Sequence, residues 1–528
     1  MSISKEVIKY YRFSTGLRTF LGDTVSLNES REIIKRQVDE REGLFLKTVE
    51  KAIYWNRHSP YLKLLSLAGC EFEDIQHMVK GFGIEASLKK LVEEGVYLSF
   101  EEFKGQKKVI RNGKVFNFRE SDFDNPFLPG FFDVESGGSS GAGARTMIDF
   151  DFLSREAAHR ALVLEVYGLM DAPCVLWFPI LPGCAGITNF FRQAKIDRTP
   201  VKWFSQVDER SIRPSVKDRF GTKFVVHMGR LFGCKVPNPQ YVDLKEPHKI
   251  ALYLGRIIRE HSNCSVWTYV NSAIRICVAA RERNISLSGV HFFVSGEPVT
   301  QTKVDEIRSS GADVTPYYAF AEGGIVAHGC ANPGSADDMH LLRDRIAVVT
   351  HKKKPKYLNK TVDALLFTSL LPESPKILLN VETGDYGSIN SRRCGCKLGD
   401  YGLSDHISNV RSFEKTTSEG MTFMVSDLIR IVEEVLPVRY GGSSTDYQVL
   451  EESDGLGSSF INIAVSPRLG PINQNELKKV VIRELAKGED SKRLMAQVWF
   501  HADTIKVKRM DPVPTKRGKI FPFRAVGM

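Results

Sequence analysis

No apolar run in this sequence approaches the roughly 18 residues needed to cross a bilayer, which excludes a membrane-spanning helix. The first residues, Met1-Ser2-Ile3-Ser4-Lys5-Glu6, lack the apolar centre of a secretory signal, so the cytoplasm is the expected compartment. Nine cysteines are scattered along 528 residues, and only Cys394 and Cys396 are close neighbours, which excludes a secreted disulfide framework. Most of the others sit in apolar surroundings, as Cys174 does before Val175-Leu176-Trp177-Phe178, and read as buried reduced thiols. There is no internal repeat and no long low-complexity tract. Charge of one sign is not concentrated either. The net charge of +10 is spread over the chain. Its one dense cluster, His351-Lys352-Lys353-Lys354-Pro355-Lys356 with Lys360 nearby, reads as a solvated loop, so no nucleic-acid partner is expected.

What remains is an ordinary globular composition in a chain too long for a single core, so two to four compact units are expected. Residues 1–60 read as a charged helical extension. From 122 to 143 the chain is rich in Gly, Pro and Phe and reads as loop. A helix N-capped by Ser154 follows, with apolar residues at Ala158, Leu162 and Val166 and an end at Asp171-Ala172-Pro173. Strands are expected at 174–180, 290–294, 364–371 and 377–381, and helices at 249–260, 271–283 and 302–309. This alternation predicts an α/β body of mixed sheets and helices over 61–412, with chemistry in the loops at strand ends. Residues 413–528 read as a small mobile α+β domain, with helices at 426–435 and 475–486 and strands at 460–465, 496–501 and 504–507.

Several polar stations punctuate this framework. Gly137-Gly138-Ser139-Ser140-Gly141 offers backbone N–H groups and hydroxyls to an anion, but lacks the Gly-Lys-Ser/Thr ending of a Walker loop. The same residues satisfy Gly-x-Ser-x-Gly, the nucleophile elbow of a serine esterase. That reading requires a strand before Ser139 and a helix directly after it, and Asp385 and His406 supply an Asp-then-His order. Gly296-Glu297-Pro298 follows a strand. Tyr318-Ala319-Phe320-Ala321-Glu322, Thr383-Gly384-Asp385, Arg411 and the tail Pro514-Thr515-Lys516-Arg517-Gly518-Lys519 complete the series.

The order of these stations resembles the adenylate-forming superfamily of acyl-CoA synthetases and adenylation domains. The Gly-Gly-Ser-Ser-Gly form, and Cys-Gly-Cys after Thr-Gly-Asp, are most similar to its phenylacetate–CoA ligase-like branch. The resemblance covers roughly 134–519. It implies ATP and Mg²⁺ as cofactors and a role for each station. Ser139 and Ser140, with the glycine N–H groups, hold the β,γ-phosphates, and Arg145 stands where the family often has Lys. Gly296, Glu297 and Pro298 lie along the adenine, Tyr318 stacks on it, and Glu322 binds Mg²⁺. Ala319 and Ala321 replace the family's usual Gly and Thr. Asp385 accepts from the ribose hydroxyls, and Arg411 contacts ribose or phosphates. Residues 412–415 fall at the family's hinge. Lys519 bridges the attacking carboxylate and the α-phosphate.

Cys394-Gly395-Cys396 permits a metal chelate but cannot close a tetrahedral zinc site alone. Cys330 is the natural third ligand and His340 the candidate fourth, with His328 competing; relatives in the branch imply such a structural zinc. A reduced thiol pair is the alternative. The expected activity is ATP-dependent formation of an acyl-AMP with release of pyrophosphate, then acyl transfer to coenzyme A, a carrier-protein thiol, a side chain or an amine. Aromatic residues around Trp267, Tyr269 and Tyr317 favour an aryl or apolar acid. A serine esterase using Ser139 and a nucleotide-binding relative without the chemistry are the alternatives.

Overall fold

The structure is a computed structural model that describes residues 3–128, 132–135, 145–208, 216–355, 361–514 and 520–525. A twelve-stranded sheet organises the large body. One half is parallel, in the order Gln240–Tyr241, Lys202–Ser205, Cys174–Trp177, Cys264–Tyr269, Val290–Ser295, Asp313–Phe320. These strands are covered on both faces, so they read as unbroken apolar runs; every residue of Cys174–Trp177 and Cys264–Tyr269 is buried. From Asp313–Phe320 onward the sheet turns antiparallel, through Gly324–Gly329, Met339–Leu341, Asp405–Ser412, Val381–Ser391, Val362–Ser369 and Ile346–Lys353.

Cys174–Trp177 is where the winding reverses. The chain leaves it for Lys202–Ser205 and Gln240–Tyr241 on one side, then returns to Cys264–Tyr269 on the other. Crossovers on opposite sides leave a crevice at the carboxyl ends of these two strands, the position where open α/β sheets take ligands. The helix Ala185–Lys195 makes the first crossover and packs at Gly186. A methyl group on Gly186 would stand 2.3 Å from the Trp203 ring and 2.6 Å from the Pro179 carbonyl.

The N-terminal helices Ile3–Gly22, Leu27–Asp39 and Arg41–Val49 are followed by more helix, through Phe100–Phe103. They build cores rather than decorate them. Phe13 and Leu17 join the core around the parallel strands, while Phe45, Leu65 and Leu88 pack with Leu365 and Phe367 of the antiparallel half.

A separate four-stranded sheet runs Ile505–Arg509, Ser459–Val465, Tyr447–Ser453, Phe523–Ala525, accompanied by the helices Gln474–Leu485 and Asp490–His501. A hairpin, Lys415–Ser418 and Met421–Met424, is tied to it by Trp499, whose indole N–H donates to the carbonyls of Ser418 and Met421, both at 3.1 Å. Among the described residues no helix is long and apolar enough to cross a membrane.

Several expected elements differ. The run read as a solvated loop from His351 begins within the strand Ile346–Lys353, where Lys353 pairs with Glu382 at 2.5 Å, and the stretch 122–143 read as loop contains the strand Phe132–Glu135. The helix expected to begin at Ser154 is Phe150–Val166, and Asp149 caps it by accepting the Phe152 N–H at 2.9 Å. Ser154 lies inside the helix and donates to the Phe150 carbonyl instead. No strand forms over 377–380. Asn380 adopts a left-handed φ of 52° and its side-chain amide donates to the carbonyls of Leu88 and Val96, which turns a corner before the strand begins at Val381. Residues 496–501 are not a strand but the end of the helix Asp490–His501, which buries Leu494, Met495, Val498 and Trp499 on one face.

Because Gly186 has no room for a methyl group, Gly186→Ala is expected to destabilise the large body by about 1–3 kcal/mol. The urea midpoint of the variant against wild type checks this.

Candidate functional site

A cavity of about 340 Å³ opens at the reversal point. Phe178 and Tyr269, at the ends of the two central strands, meet edge to face in its wall with ring centroids 4.9 Å apart. Ser295, Gly296, Glu297 and Pro298 enter from the next strand end, and Tyr317, Tyr318 and Glu322 from the one after. The antiparallel half contributes Asp385 and Arg411. The stations 296–298, 318, 322, 385 and 411 therefore line one space. The loop Gly137, Gly138, Ser139, Ser140, Gly141 and the tail residue Lys519 lie outside the described residues.

Asp385 sits beside Gly384, whose φ of 82° bends the strand. Its Oδ2 accepts from the Tyr318 hydroxyl at 2.7 Å and the Thr383 hydroxyl at 3.0 Å, and the Lys415 ammonium lies 3.9 Å away. Burial and the adjacent Asp385 raise the Tyr318 phenol well above its ordinary value, so it stays a donor. Arg411 donates to Asp337 at 3.0 Å.

Glu322 is partly buried, its side chain 11% exposed, and paired with Lys104 at 2.5 Å. Burial pushes its carboxyl up, but the Lys104 ammonium outweighs that and holds it at about 2. Lys104 also meets Glu120 at 3.1 Å, and Glu120 faces Lys376, which pairs with Asp124 at 2.6 Å. Sequence reasoning missed Lys104. Glu101-Glu102-Phe103-Lys104 carries no sign that its last residue is folded inward.

Glu297 does not simply line the cavity. Its carboxylate accepts the Asn271 N–H at 3.1 Å and the Gly420 N–H at 2.9 Å, the latter from the tip of the hairpin. Gly420 has to be glycine, since a methyl group there would stand 2.1 Å from the Tyr269 ring and its φ is 68°. Glu419 beside it is buried and accepts from Ser272 at 2.7 Å and Arg275 at 2.6 Å. Burial, opposed by Lys303 and reinforced by Glu419, pushes the Glu297 carboxyl up to about 7.

The cysteine cluster lies apart from the cavity. Sγ of Cys330 and Cys394 and a ring nitrogen each of His340 and His406 lie within 4.8 Å of one another. Cys396 Sγ stands 3.1 Å from His340 Nε2 and 3.9 Å from Cys330 Sγ, and Cys394 Sγ stands 3.5 Å from His340 Nε2. Donors around a tetrahedral zinc lie roughly 3.4–3.8 Å apart, so the set fits. The outer contacts fit as well. His340 Nδ1 is bonded to the Leu403 carbonyl at 2.6 Å, and His406 Nδ1 to Asp338 at 2.7 Å, which leaves each Nε2 as the ligand atom. Backbone N–H groups of Asn332 and Cys396 point at the sulfurs of Cys330 and Cys394. His406 is a fifth donor that the spacing of the cysteines did not reveal. His328 stands opposite His340 in the register but is not among the clustered donors.

The esterase reading fails on geometry. The strand Phe132–Glu135 pairs antiparallel with Arg145–Ile148, while Ser139 itself lies outside the described residues. His406 is bonded to Asp338, while Asp385 is bonded to Tyr318. Trp267 also departs from expectation. It is fully buried, stacked on Phe293 at 4.2 Å, and does not line the cavity.

No family model and no curated protein matches the sequence. Solved structures do match. A 2-hydroxyisobutyryl-CoA ligase, solved with 2-HIB-AMP and CoA in its thioesterification state, is 13% identical and superposes with a TM-score of 0.54, covering 95% of this chain and 91% of its own. The chain has the adenylate-forming ligase fold. An amide bond synthetase from Marinactinospora thermotolerans, 11% identical, covers 97% of both chains with a TM-score of 0.40. At these identities the likeness is one of fold.

The raised Glu297 has a signed consequence. Below its ordinary value of 4.5 the carboxyl is protonated in both folded and unfolded chains. Between that and about 7 the unfolded chain loses the proton first, so wild-type stability falls as pH rises through this window. Glu297→Gln is expected to lack that component. Denaturant midpoints of the two proteins, measured from pH 4 to 8, should show wild type losing ground to the variant as pH rises.

Proposed function

We propose that the protein activates a carboxylic acid as its acyl-AMP, using ATP and releasing pyrophosphate, and then passes the acyl group to coenzyme A or to another thiol or amine acceptor. One observation carries this reading: stations scattered from residue 296 to residue 411 line a single cavity at the reversal point of the sheet. The fold neighbour supports it, because that enzyme was solved with an acyl-AMP and CoA.

In this reading Tyr318 offers its ring to the adenine, and Asp385, fixed through Oδ2, accepts from the ribose. Arg411 supplies a cation beside the phosphates. Phosphoryl chemistry of this kind is positioning plus charge stabilisation. Mg²⁺, when bound, would neutralise phosphate charge. Glu322 is the carboxylate suited to hold it, and Lys104 already stands on that carboxylate as a resident cation. The serine–glycine loop 137–141 cradles the β,γ-phosphates, and Lys519 brings an ammonium to the bond being made. The described residues Val513 and Phe521, on either side of the tail, are both held by Gln448 at the middle of the small sheet. The unit 413–528 turns between the two half-reactions.

Lys519→Ala is expected to lower acid-dependent ATP–pyrophosphate exchange by roughly 10²–10³-fold, measured over a panel of carboxylic acids. Unchanged exchange in the variant would remove the role given to that lysine. A second reading, a nucleotide-binding protein without the chemistry, draws on the Lys104–Glu322 pair and on Ala319 and Ala321. ATP binding without exchange for any acid would favour it.

The cysteine–histidine cluster we assign to a structural zinc held by Cys330, His340 and Cys394, with Cys396 or His406 completing the set. Wild type is expected to carry about one zinc per chain, and Cys330→Ser and Cys394→Ser to lose it, by elemental analysis. Undiminished metal in both variants would discard the site.

A further inference from the structure

The cavity has a second wall that the nucleotide stations leave unused. Two packed helices build it. Phe152 and Glu156 face it from Phe150–Val166, one turn apart. Ala185, Thr188, Asn189 and Arg192 face it from Ala185–Lys195, at the i, i+3, i+4, i+7 spacing of a single helical face. The turn at Gly324 and Ile325 closes the corner. Gly324 leaves no space for a methyl group, which would stand 2.2 Å from Glu156 Oε1, and the Ile325 N–H donates to that oxygen at 2.8 Å. The corner is built, not incidental.

Its charges are unevenly paired. Glu156 Oε2 takes Arg192 through Nε at 2.8 Å and Nη2 at 2.7 Å, while Oε1 takes Arg345 at 2.9 Å. One carboxylate serves two guanidiniums. A third, Arg160, lies one turn beyond Glu156 and is fully buried. It stands 3.3 Å over the Trp267 ring and donates to Asn189 Oδ1 at 2.8 Å. Among the described residues no carboxylate lies within ion-pair distance of it. Two further buried acids have partners of their own: Asp344 is paired with His159 at 3.0 Å, and Asp149 accepts the Phe152 N–H at 2.9 Å. Arg160 is therefore the one guanidinium of the three with no carboxylate in contact among the described residues. Burial, and then the charge of Arg192, push Arg160 down to about 9. A charge without a contacting partner in a desolvated site is costly. Of the three cations, Arg192 is the one in the cavity wall.

Resting on the adenylation reading above, we infer that the acid is a dicarboxylic acid with an aryl or alkyl shaft, activated at one end and held at the other by Arg192. The aromatic wall of Phe152, Phe178, Tyr269 and Phe320 takes the shaft. A guanidinium held from behind by Glu156 presents its remaining N–H groups in a fixed plane, which suits a distal carboxylate.

The test is calorimetric binding of acids matched in length and differing in the far end: methyl, hydroxyl or carboxylate. Hexanoate, 6-hydroxyhexanoate and adipate form one set, and 4-methylphenylacetate and 4-carboxyphenylacetate another. It is run with α,β-methylene-ATP present, whose α–β bond does not cleave. Wild type should bind the carboxylate-ended acid at least tenfold more tightly than the methyl-ended one. Arg192→Met should reduce that ratio at least tenfold, and Arg192→Lys should retain part of it. Equal affinities across the far ends in wild type, hydroxyl-ended acids binding best, or a ratio unchanged in Arg192→Met would each overturn the inference. The wild-type comparison needs no variant, so it stays decisive if Arg192→Met fails to fold. Exchange assays on the same acids separate the two readings. Selective binding without exchange sinks adenylation and keeps the anion subsite, whereas exchange that favours methyl-ended acids does the reverse.

Discussion

The site depends on one constraint in the sheet, the change of winding direction beside Cys174–Trp177. Strands on either side connect through helices that cover opposite faces, so nothing roofs the carboxyl ends of the two central strands. Each parallel strand then delivers its last residues to the same crevice. Asp385 is harder to account for. Its strand lies four steps from that of Tyr318, on the order of 19 Å in a flat sheet, yet the two side chains touch at 2.7 Å. The sheet must curl strongly between them. The intervening strand Met339–Leu341 has three residues, which lets its neighbours close over it. The same short strand carries His340 between Cys330 and His406, so a metal bound there would pin the curl that joins Tyr318 to Asp385.

Three glutamates at the cavity show how little residue type alone determines. Glu322 has Lys104 against it and Glu156 has two arginines, and both are held at about 2. Glu297 has two backbone N–H groups, a lysine and a neighbouring glutamate, and burial carries it up to about 7. Glu156 is fully buried and Glu322 and Glu297 are partly so, and desolvation acts on each in the same direction. The sign of the result follows from whether a full opposite charge lies in contact, because a backbone dipole offsets desolvation less than an ion does. Glu297 is accordingly the carboxylate placed where two parts of the chain meet, and its two N–H donors come one from each part.

Sequence alone located the α/β alternation, the α+β character of the C-terminal part and the stations between 296 and 411 that line the cavity, because each leaves a local mark. Apolar runs mark buried parallel strands. Gly296 and Gly384 mark bends with positive φ. What it misplaced depended on partners far along the chain. Residues 496–501 alternate like a strand, and only the burial of Leu494 and Met495 beside Val498 and Trp499 identifies a helix. Residues 1–60 read as an appendage, although Phe45 packs in one core with Leu365 and Phe367. Cys330, His340, Cys394 and Cys396 were legible as a chelate, whereas His406 entered through strand register that no spacing rule encodes. Arg192 looked like any basic residue near a helix end. Its significance arises from Glu156 on a different helix and from a third arginine that lacks an acid.

The small unit raises a geometric argument for movement. The strand Tyr447–Ser453 anchors both of its working parts. Glu451 accepts from Thr416 of the hairpin at 2.8 Å, and Gln448 holds Val513 and Phe521 on either side of the tail. Residues three apart on a strand point to opposite faces, so Thr416 of the hairpin and the pair Val513 and Phe521 are fastened to opposite faces of one sheet. In the observed arrangement the hairpin tip is the part that meets the cavity, with Gly420 against Tyr269 and Glu419 among Ser272 and Arg275. A rigid unit that presents this face turns the other away. Bringing Val513 and Phe521 to the cavity in place of the hairpin would therefore require the unit to rotate. The latch that holds it suits such a turn. Among the described residues it includes hydrogen bonds and the ion pairs of Glu419 with Arg275 and of Lys415 with Asp385, each worth about 0.5–3 kcal/mol net, and water can replace every one of them once Glu419 is released.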